Sequence, residues 1–412
     1  MAYITVSAVL GHNPWPHTSM YWPANSRFIS TASFDPQHFK ASLLGSPRLI
    51  QCAPPCFNPS LVEISSLMRD SAAEAGIVGA RYLAAIRETR GAQCQELRDN
   101  RRKLEPTNES TLRLSVKNFR SYLALLDSSL RQVAFIVNRA GELKDVGLVD
   151  VRLDRFGESL LMHGMMYRAG RDPTWVVKSF DLSFEGALVH LVAGRVHPDL
   201  KVLSHAGHWK NLGILWNGDY GSPLRILYWL KEIPDVRRGL PPPAPSKASQ
   251  RAQPLYGLGG RRRVSNNGSP LLLNRPPGFR LASGHVHADE LPHGRNEHGT
   301  TTFGNTYINY FYLMRDKPPY EIIASSPPFC FPSADNASSC DTIQFITSLI
   351  KLEETNQVLI SYGINDCIGA TVKLNLDAVV AFTTRRSTAL PLAHQVRRTL
   401  KNFSNKKLTH PP

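Results

Sequence analysis

From Phe57 onward the chain alternates short apolar runs with clusters of turn residues. The runs are Ser60–Ile64, Tyr82–Arg87, Gln132–Val137, Ser159–His163, Ala187–Val192, Leu224–Leu230, Tyr307–Leu313 and Gln357–Tyr362. They are rich in Val, Ile, Leu, Tyr and Phe, and Gly, Pro, Asp and Asn stand between them. That is the pattern of strands, not of helices. Two stretches read as helical, about Asp70–Ala80 and Ser115–Gln132. The chain is therefore expected to be all-β.

Three segments fall outside this pattern. Residues 1–48 mix aromatics with Pro, His and Ser without a sustained period and read as an irregular lead-in. Residues 237–280 contain Leu240-Pro-Pro-Pro-Ala-Pro-Ser and Gly257-Leu-Gly-Gly-Arg-Arg-Arg. Such a composition buries too little surface to offset its ordering entropy, so a disordered insert is expected there. Residues 395–412 form a basic tail. Between them, 49–394 make one β domain, and many antiparallel strands in one unit of that size suit a β-propeller.

Charge changes the picture of partners. The net charge is +15. The insert holds nine of those charges and the tail five, and neither segment contains an Asp or Glu. The folded part is close to neutral, so its surface makes no claim on nucleic acid, and none is expected as partner. No stretch reaches the roughly 18 apolar residues of a membrane span. The N-terminus lacks the basic region and long apolar run of a signal peptide, which leaves the cytoplasm as the default compartment.

Six cysteines are present. Cys52 and Cys56 lack a second closely spaced Cys/His pair, so they do not make a zinc site. Cys330 and Cys340 flank a turn-rich run and could close a short disulfide loop, but buried free thiols are the expected reading. His285 and His287 alternate onto one strand face and have no third ligand, so hydroxyl binding is favoured over a metal.

Polar groups stand at the ends of several apolar strands. Asn58-Pro59-Ser60 precedes Leu61-Val-Glu-Ile, and Arg87 ends its run. Val149-Asp150-Val151-Arg152-Leu153 follows a glycine turn, Lys210-Asn211 precedes an apolar strand, and Ile360-Ser-Tyr362-Gly-Ile-Asn-Asp366 ends in a carboxylate. In a propeller, such ends from different blades converge on one funnel. Carboxylates, amides and Arg there suit sugar hydroxyls, and aromatics suit ring faces.

In order, Phe57-Asn-Pro-Ser-Leu-Val, the strand ending in Arg87, Val-Asp150-Val-Arg152-Leu and Tyr362-Gly-Ile-Asn-Asp366 resemble the motif series of five-bladed β-propeller glycosidases. Within that superfamily they are most similar to the β-mannoside phosphorylases and related mannosyltransferases. The resemblance spans about residues 56–380 and implies a carbohydrate-active enzyme that transfers or cleaves a glycosyl unit, a mannoside or similar hexoside. It implies Asp150 as general acid, a role that requires the carboxyl to hold its proton until the leaving oxygen takes it. It also implies substrate-binding roles for Asn58, Arg87, Arg152, Tyr362 and Asp366.

The chain departs from the family at two positions beside Asp150. Val149 and Val151 stand where the third family motif has Glu and Pro. The phosphate-binding set has no clear counterpart; Lys210, His205 and His208 are the substitutes available, as is Gly284-His285-Val-His287. No organic cofactor or metal is expected, and inorganic phosphate is a candidate co-substrate. A non-catalytic glycan-binding propeller is the alternative to an enzyme. A third reading, binding to nucleic acid or membrane through the basic insert, predicts affinity that falls steeply with salt.

Overall fold

The structure is a computed structural model. It describes residues 42–50, 56–88, 121–136, 148–156, 159–166, 174–194, 213–215, 225–227, 264–289, 305–317, 320, 322–327, 329–333, 337, 340–341, 343–364 and 368–384. Two short strands come first, β1 (Ser42–Leu43) and β2 (Arg48–Leu49). Five sheets then follow in chain order among the described residues.

Sheet one is β3 (Cys56–Glu63), β4 (Ala80–Glu88), β5 (Ser121–Asp127) and β6 (Gln132–Phe135). Sheet two is β7 (Leu148–Phe156), β8 (Ser159–Met166), β9 (Thr174–Glu185) and β10 (Leu188–Ala193). The third pairs β11 (Gly213–Leu215) with β12 (Arg225–Leu227). Sheet four holds β13 (Val264–Asn266), β14 (Leu271–Leu273), β15 (Phe279–Asp289), β16 (Asn305–Arg315), β17 (Ile322–Ser325) and β18 (Phe329–Cys330). Sheet five is β19 (Gln344–Leu352), β20 (Gln357–Ile364) and β21 (Ile368–Asn375). Pairing within each is antiparallel. The fold is all-β, as the alternating runs predict.

The first two strands close on the far end of the chain. β1 adds to sheet four in parallel with β18, and β2 adds to sheet five against β21. The lead-in expected to be irregular over 1–48 thus ends in sheet structure. The insert is corrected in the same way. Residues 264–280 of the segment expected to be disordered form β13, β14 and the start of β15, because Val264-Ser-Asn and Leu271-Leu-Leu supply strand-forming triplets with β15 to pair against. Residues 237–263 and the 395–412 tail lie outside the described residues.

The expected helix over 115–132 is also replaced, since 121–127 is β5 and 132–135 is β6. Leu125 packs toward sheet two, while Ala124 and Leu126 pack toward sheet five. A strand covered on both faces reads as a continuous apolar run and loses the alternation that identifies strands. The other expected helix starts earlier, as α1 (Ser66–Glu74), where the Ser65 hydroxyl accepts from the Met68 amide at 3.2 Å and caps it. A second helix, α2 (Leu376–Thr384), follows β21 and buries Leu376, Val379 and Val380.

Sheet one lies between sheets two and five. Ile64, Leu83 and Leu125 meet Leu153, Leu160 and Val189 on one side, and Leu61, Tyr82 and Leu126 meet Leu359 on the other. Sheets four and five share a core that contains Phe311, Phe329, Phe331 and Tyr362; the Phe311 and Phe329 rings stack at 4.3 Å. Cys330 and Cys340 are joined by a disulfide, with Cα atoms 6.0 Å apart, in place of the expected free thiols. Among the described residues, no helix is long and apolar enough to cross a membrane.

Candidate functional site

The strands β3, β7 and β19 are each the edge of their sheet and each carries a β-bulge. In β3 the register shifts between Phe57 and Ser60, and in β7 between Val149 and Arg152. The extra residues include Asn58, with φ 45°, and Asp150, with φ 57°. Asn and Asp tolerate this left-handed conformation better than other side chains because their short polar groups bond locally. Bulges re-aim side chains, and two of the expected site residues owe their direction to one.

Arg87 connects the two bulges. It pairs with Phe57 across the β3–β4 ladder, and its guanidinium lies over the Phe57 ring at 4.9 Å. Nη1 then reaches Asp150 Oδ1 at 3.4 Å. A residue of sheet one therefore engages the carboxylate of sheet two.

Arg152 is 2% exposed. Its Nε donates to the Asn267 carbonyl at 2.9 Å and its Nη1 to the Val151 carbonyl at 3.1 Å, while the guanidinium lies 4.7 Å from the Phe345 ring centre. Nη2 has no hydrogen-bond partner among the described residues. Burial pushes the guanidinium down to about 10, against the opposite pull of Asp150 and Asp154. Asp154, two residues on, is 2.9 Å from the Nε2 of buried His163.

His285 is fully buried on β15. Its Nδ1 contacts Asn267 Oδ1, and the Asn267 amide nitrogen is oriented by a 3.4 Å bond to Ser283 Oγ. The imidazole stacks on Tyr307 at 4.7 Å and meets the Phe345 edge-to-face at 5.2 Å. Asn267 thus contacts Arg152 through its backbone and His285 through its side chain. The arrangement offers a carboxylate, two guanidinium groups and amides beside aromatic rings, a set that can bind hydroxyl or anionic oxygen atoms.

Of the expected residues, Arg87 and Asp150 meet as an ion pair, Arg152 and His285 meet through Asn267, and Asn58 follows Phe57 on the β3 bulge. Tyr362 does not present its ring to these residues, because it is fully buried 4.5 Å from Phe331, in the core between sheets four and five. Its neighbour Gly363 faces Asn58 instead. The His287 backbone belongs to β15, but its side chain, with Lys210, Asn211 and Asp366, lies outside the described residues. Among the described residues no group of three or more His, Cys, Asp or Glu is placed to hold a metal.

Sequence reasoning missed Asn267 and Phe345. A signal was present for both. Asn267-Gly-Ser269-Pro-Leu echoes Asn58-Pro-Ser60-Leu, and Phe345-Ile-Thr-Ser348-Leu echoes Phe57-Asn-Pro-Ser60-Leu.

No protein-family profile matches the chain, and no curated protein does. Several solved structures to which the chain is similar are described as glycosidases, mannose phosphorylases or mannosyltransferases. The β-1,2-mannobiose phosphorylase of Listeria innocua is 14% identical with a TM-score of 0.43, over 85% of this chain and 96% of that one. A GDP-Man-dependent mannosyltransferase of Leishmania mexicana is 13% identical at 0.41, over 82% and 91%. A putative glycosidase of Bacteroides thetaiotaomicron is 12% identical at 0.41, over 78% and 87%.

Proposed function

We propose that the chain is a carbohydrate-active enzyme that transfers or cleaves a glycosyl unit, with a mannoside or similar hexoside as substrate. The five successive sheets are read as the blades of a five-bladed propeller, with β1 and β2 completing blades four and five. Asp150 is the general acid, Arg87 and Arg152 flank it, Asn58 binds substrate hydroxyls, and His285, expected to bind them too, is buried and acts through Asn267 instead. Lys210, Asn211, His287 and Asp366 are assigned to the rest of the sugar site on the motif resemblance, and inorganic phosphate is the candidate acceptor. The observation that carries the reading is the Arg87–Asp150 contact, which brings two of the resembling motifs to one point from different sheets.

A non-catalytic glycan-binding propeller is the second reading. It is favoured by Val149 and Val151 beside Asp150, and by the ion pair that already engages this carboxylate. One experiment separates the two. Purified protein is incubated with mannosyl donors, with and without phosphate, next to Asp150→Asn. Mannose-1-phosphate or elongated products from the wild type, lost in the variant, support the enzyme. Equal glycan binding by both forms without turnover supports the binding protein, and the absence of both overturns the carbohydrate reading.

A further inference from the structure

Edge strands leave alternate N–H groups without a ladder partner, and a buried one must find a partner elsewhere. In β3 and β7 the same backbone group faces this problem, the amide of the leucine that follows the bulge by one residue. Leu61 N–H donates to Ser348 Oγ of β19 at 3.1 Å, and Leu153 N–H donates to Ser60 Oγ of β3 at 2.9 Å. Ser348 and Ser60 are themselves equivalent, each the residue at which register resumes after its own bulge. Arg152 holds this place in β7, and it too reaches a neighbouring backbone, the Asn267 carbonyl. The residue after the bulge thus clasps an adjoining stretch of backbone in three sheets.

The clasps are reinforced on the β3 side. Thr347 Oγ1 donates to the Pro59 carbonyl, next to Asn58, and both Thr347 and Ser348 hydroxyls contact Ser361 Oγ. The bulge that carries Asn58 is held at Pro59 and Leu61 by side chains of sheet five. The bulge that carries Asp150 is held at Leu153 by Ser60.

We propose that Ser60 and Ser348 are positioning residues, which set the direction of Asp150 and Asn58 by fixing the backbone just beyond each bulge. As regards reaction, this rests on the reading of Asp150 as the working carboxylate. The geometry it asserts does not depend on that reading.

The test is carried out on full-length protein with carboxyl-13C aspartate, the Asp150 signal assigned by its loss in Asp150→Asn. Ser60→Ala should displace that signal, and Ser60→Thr, which keeps the hydroxyl, should return it. On any donor that proves a substrate, Ser60→Ala should lower kcat about 10- to 100-fold with KM within about twofold. If Ser60→Ala does not fold, Ser348→Ala is read at the Asn58 side-chain amide, which should shift. An Asp150 signal unmoved by Ser60→Ala, or moved equally by Ala and Thr, overturns the proposal. An inactive protein whose signal moves as stated leaves the positioning role intact and removes only the proposed function.

Discussion

The side chain of Asn58 occupies the space that a side chain at position 363 would need. A Cβ built on Gly363 overlaps Asn58 Oδ1 and stands 2.8 Å from its Cγ. Asn58 belongs to β3 and Gly363 to β20, more than 300 residues later in the chain, so the glycine in Tyr362-Gly-Ile is required by a residue of the first sheet.

Gly363→Ala should therefore destabilise the fold by about 1–3 kcal/mol, the range for overpacking a filled interior. The measurement is urea unfolding of Gly363→Ala, Asn58→Gly and the double variant. Asn58→Gly removes the obstructing amide and accepts the left-handed φ, so the double variant should be more stable than the sum of the single changes predicts. Additive losses would show that the two residues do not contend for one space.

Arg87→Gln should break the contact with Asp150 and weaken the stacking on Phe57. With both partners mostly shielded from solvent, the expected loss is about 1–2 kcal/mol. Arg87→Lys should recover less than half of it, because an ammonium lacks the planar face that lies over the ring. A double-mutant cycle with Asp150→Asn, read by thermal unfolding, should give a coupling of at least about 0.5 kcal/mol.

Stability should fall as the solution becomes alkaline. Burial raises the phenols of Tyr82, Tyr312 and Tyr362 above their ordinary 10.0; nearby charges modify the effect at Tyr82, and the Asp341 charge adds to it at Tyr362. Above pH 10 the unfolded chain sheds these protons while the folded chain keeps them, so unfolding is favoured as pH rises. Arg152 acts in the opposite sense. Held at about 10 against 12.5, it loses its proton first in the folded chain and adds stability between those values. Arg280 and Lys373, also lowered by burial, act with Arg152, but the Tyr312 and Tyr362 phenols are displaced further than any of the three and set the direction. Tyr362→Phe should make the decline above pH 10 shallower. At pH 7 it should cost less than about 1 kcal/mol, since the hydroxyl has no hydrogen-bond partner among the described residues. Denaturant titrations from pH 7 to 11 decide both points.

Cys340→Ser should cost about 2–3 kcal/mol, the size expected from loop-closure entropy for a crosslink of separation 10. A phosphine reductant should lower the melting temperature of the wild type and leave the variant unchanged. Equal melting temperatures with and without reductant would mean that the two thiols are not joined. A bond that persists in cells would favour an oxidising compartment over the cytoplasmic default.

Much of this architecture was legible before any tertiary contact was known. Runs such as Tyr82–Arg87 and Gln357–Tyr362 carry β-branched and aromatic residues between turn formers, and local propensity suffices to make them strands. Asn58, Asp150 and Arg152 were legible as candidates because they interrupt apolar strands with polar groups, which chains do at a cost in stability. Where burial is set by neighbours, local reading failed. Tyr122–Asp127 looks helical because both faces of β5 are covered, and Val264–Leu273 looks disordered because its strands are three residues long and depend on β15 for hydrogen bonds.

The sequence by itself determined that the apolar runs between turn formers are strands and which polar residues stand at their ends, since these follow from side-chain shape and backbone preference over a few residues. Tertiary structure alone decided that Arg87 meets Asp150, that Asn267 contacts both Arg152 and His285, and that Tyr362 is core while Gly363 faces Asn58. Each of these contacts joins residues from different strands or sheets. Their geometry depends on where a bulge re-aims a strand and on which sheet packs beside it, and neither quantity is encoded in any short stretch of chain.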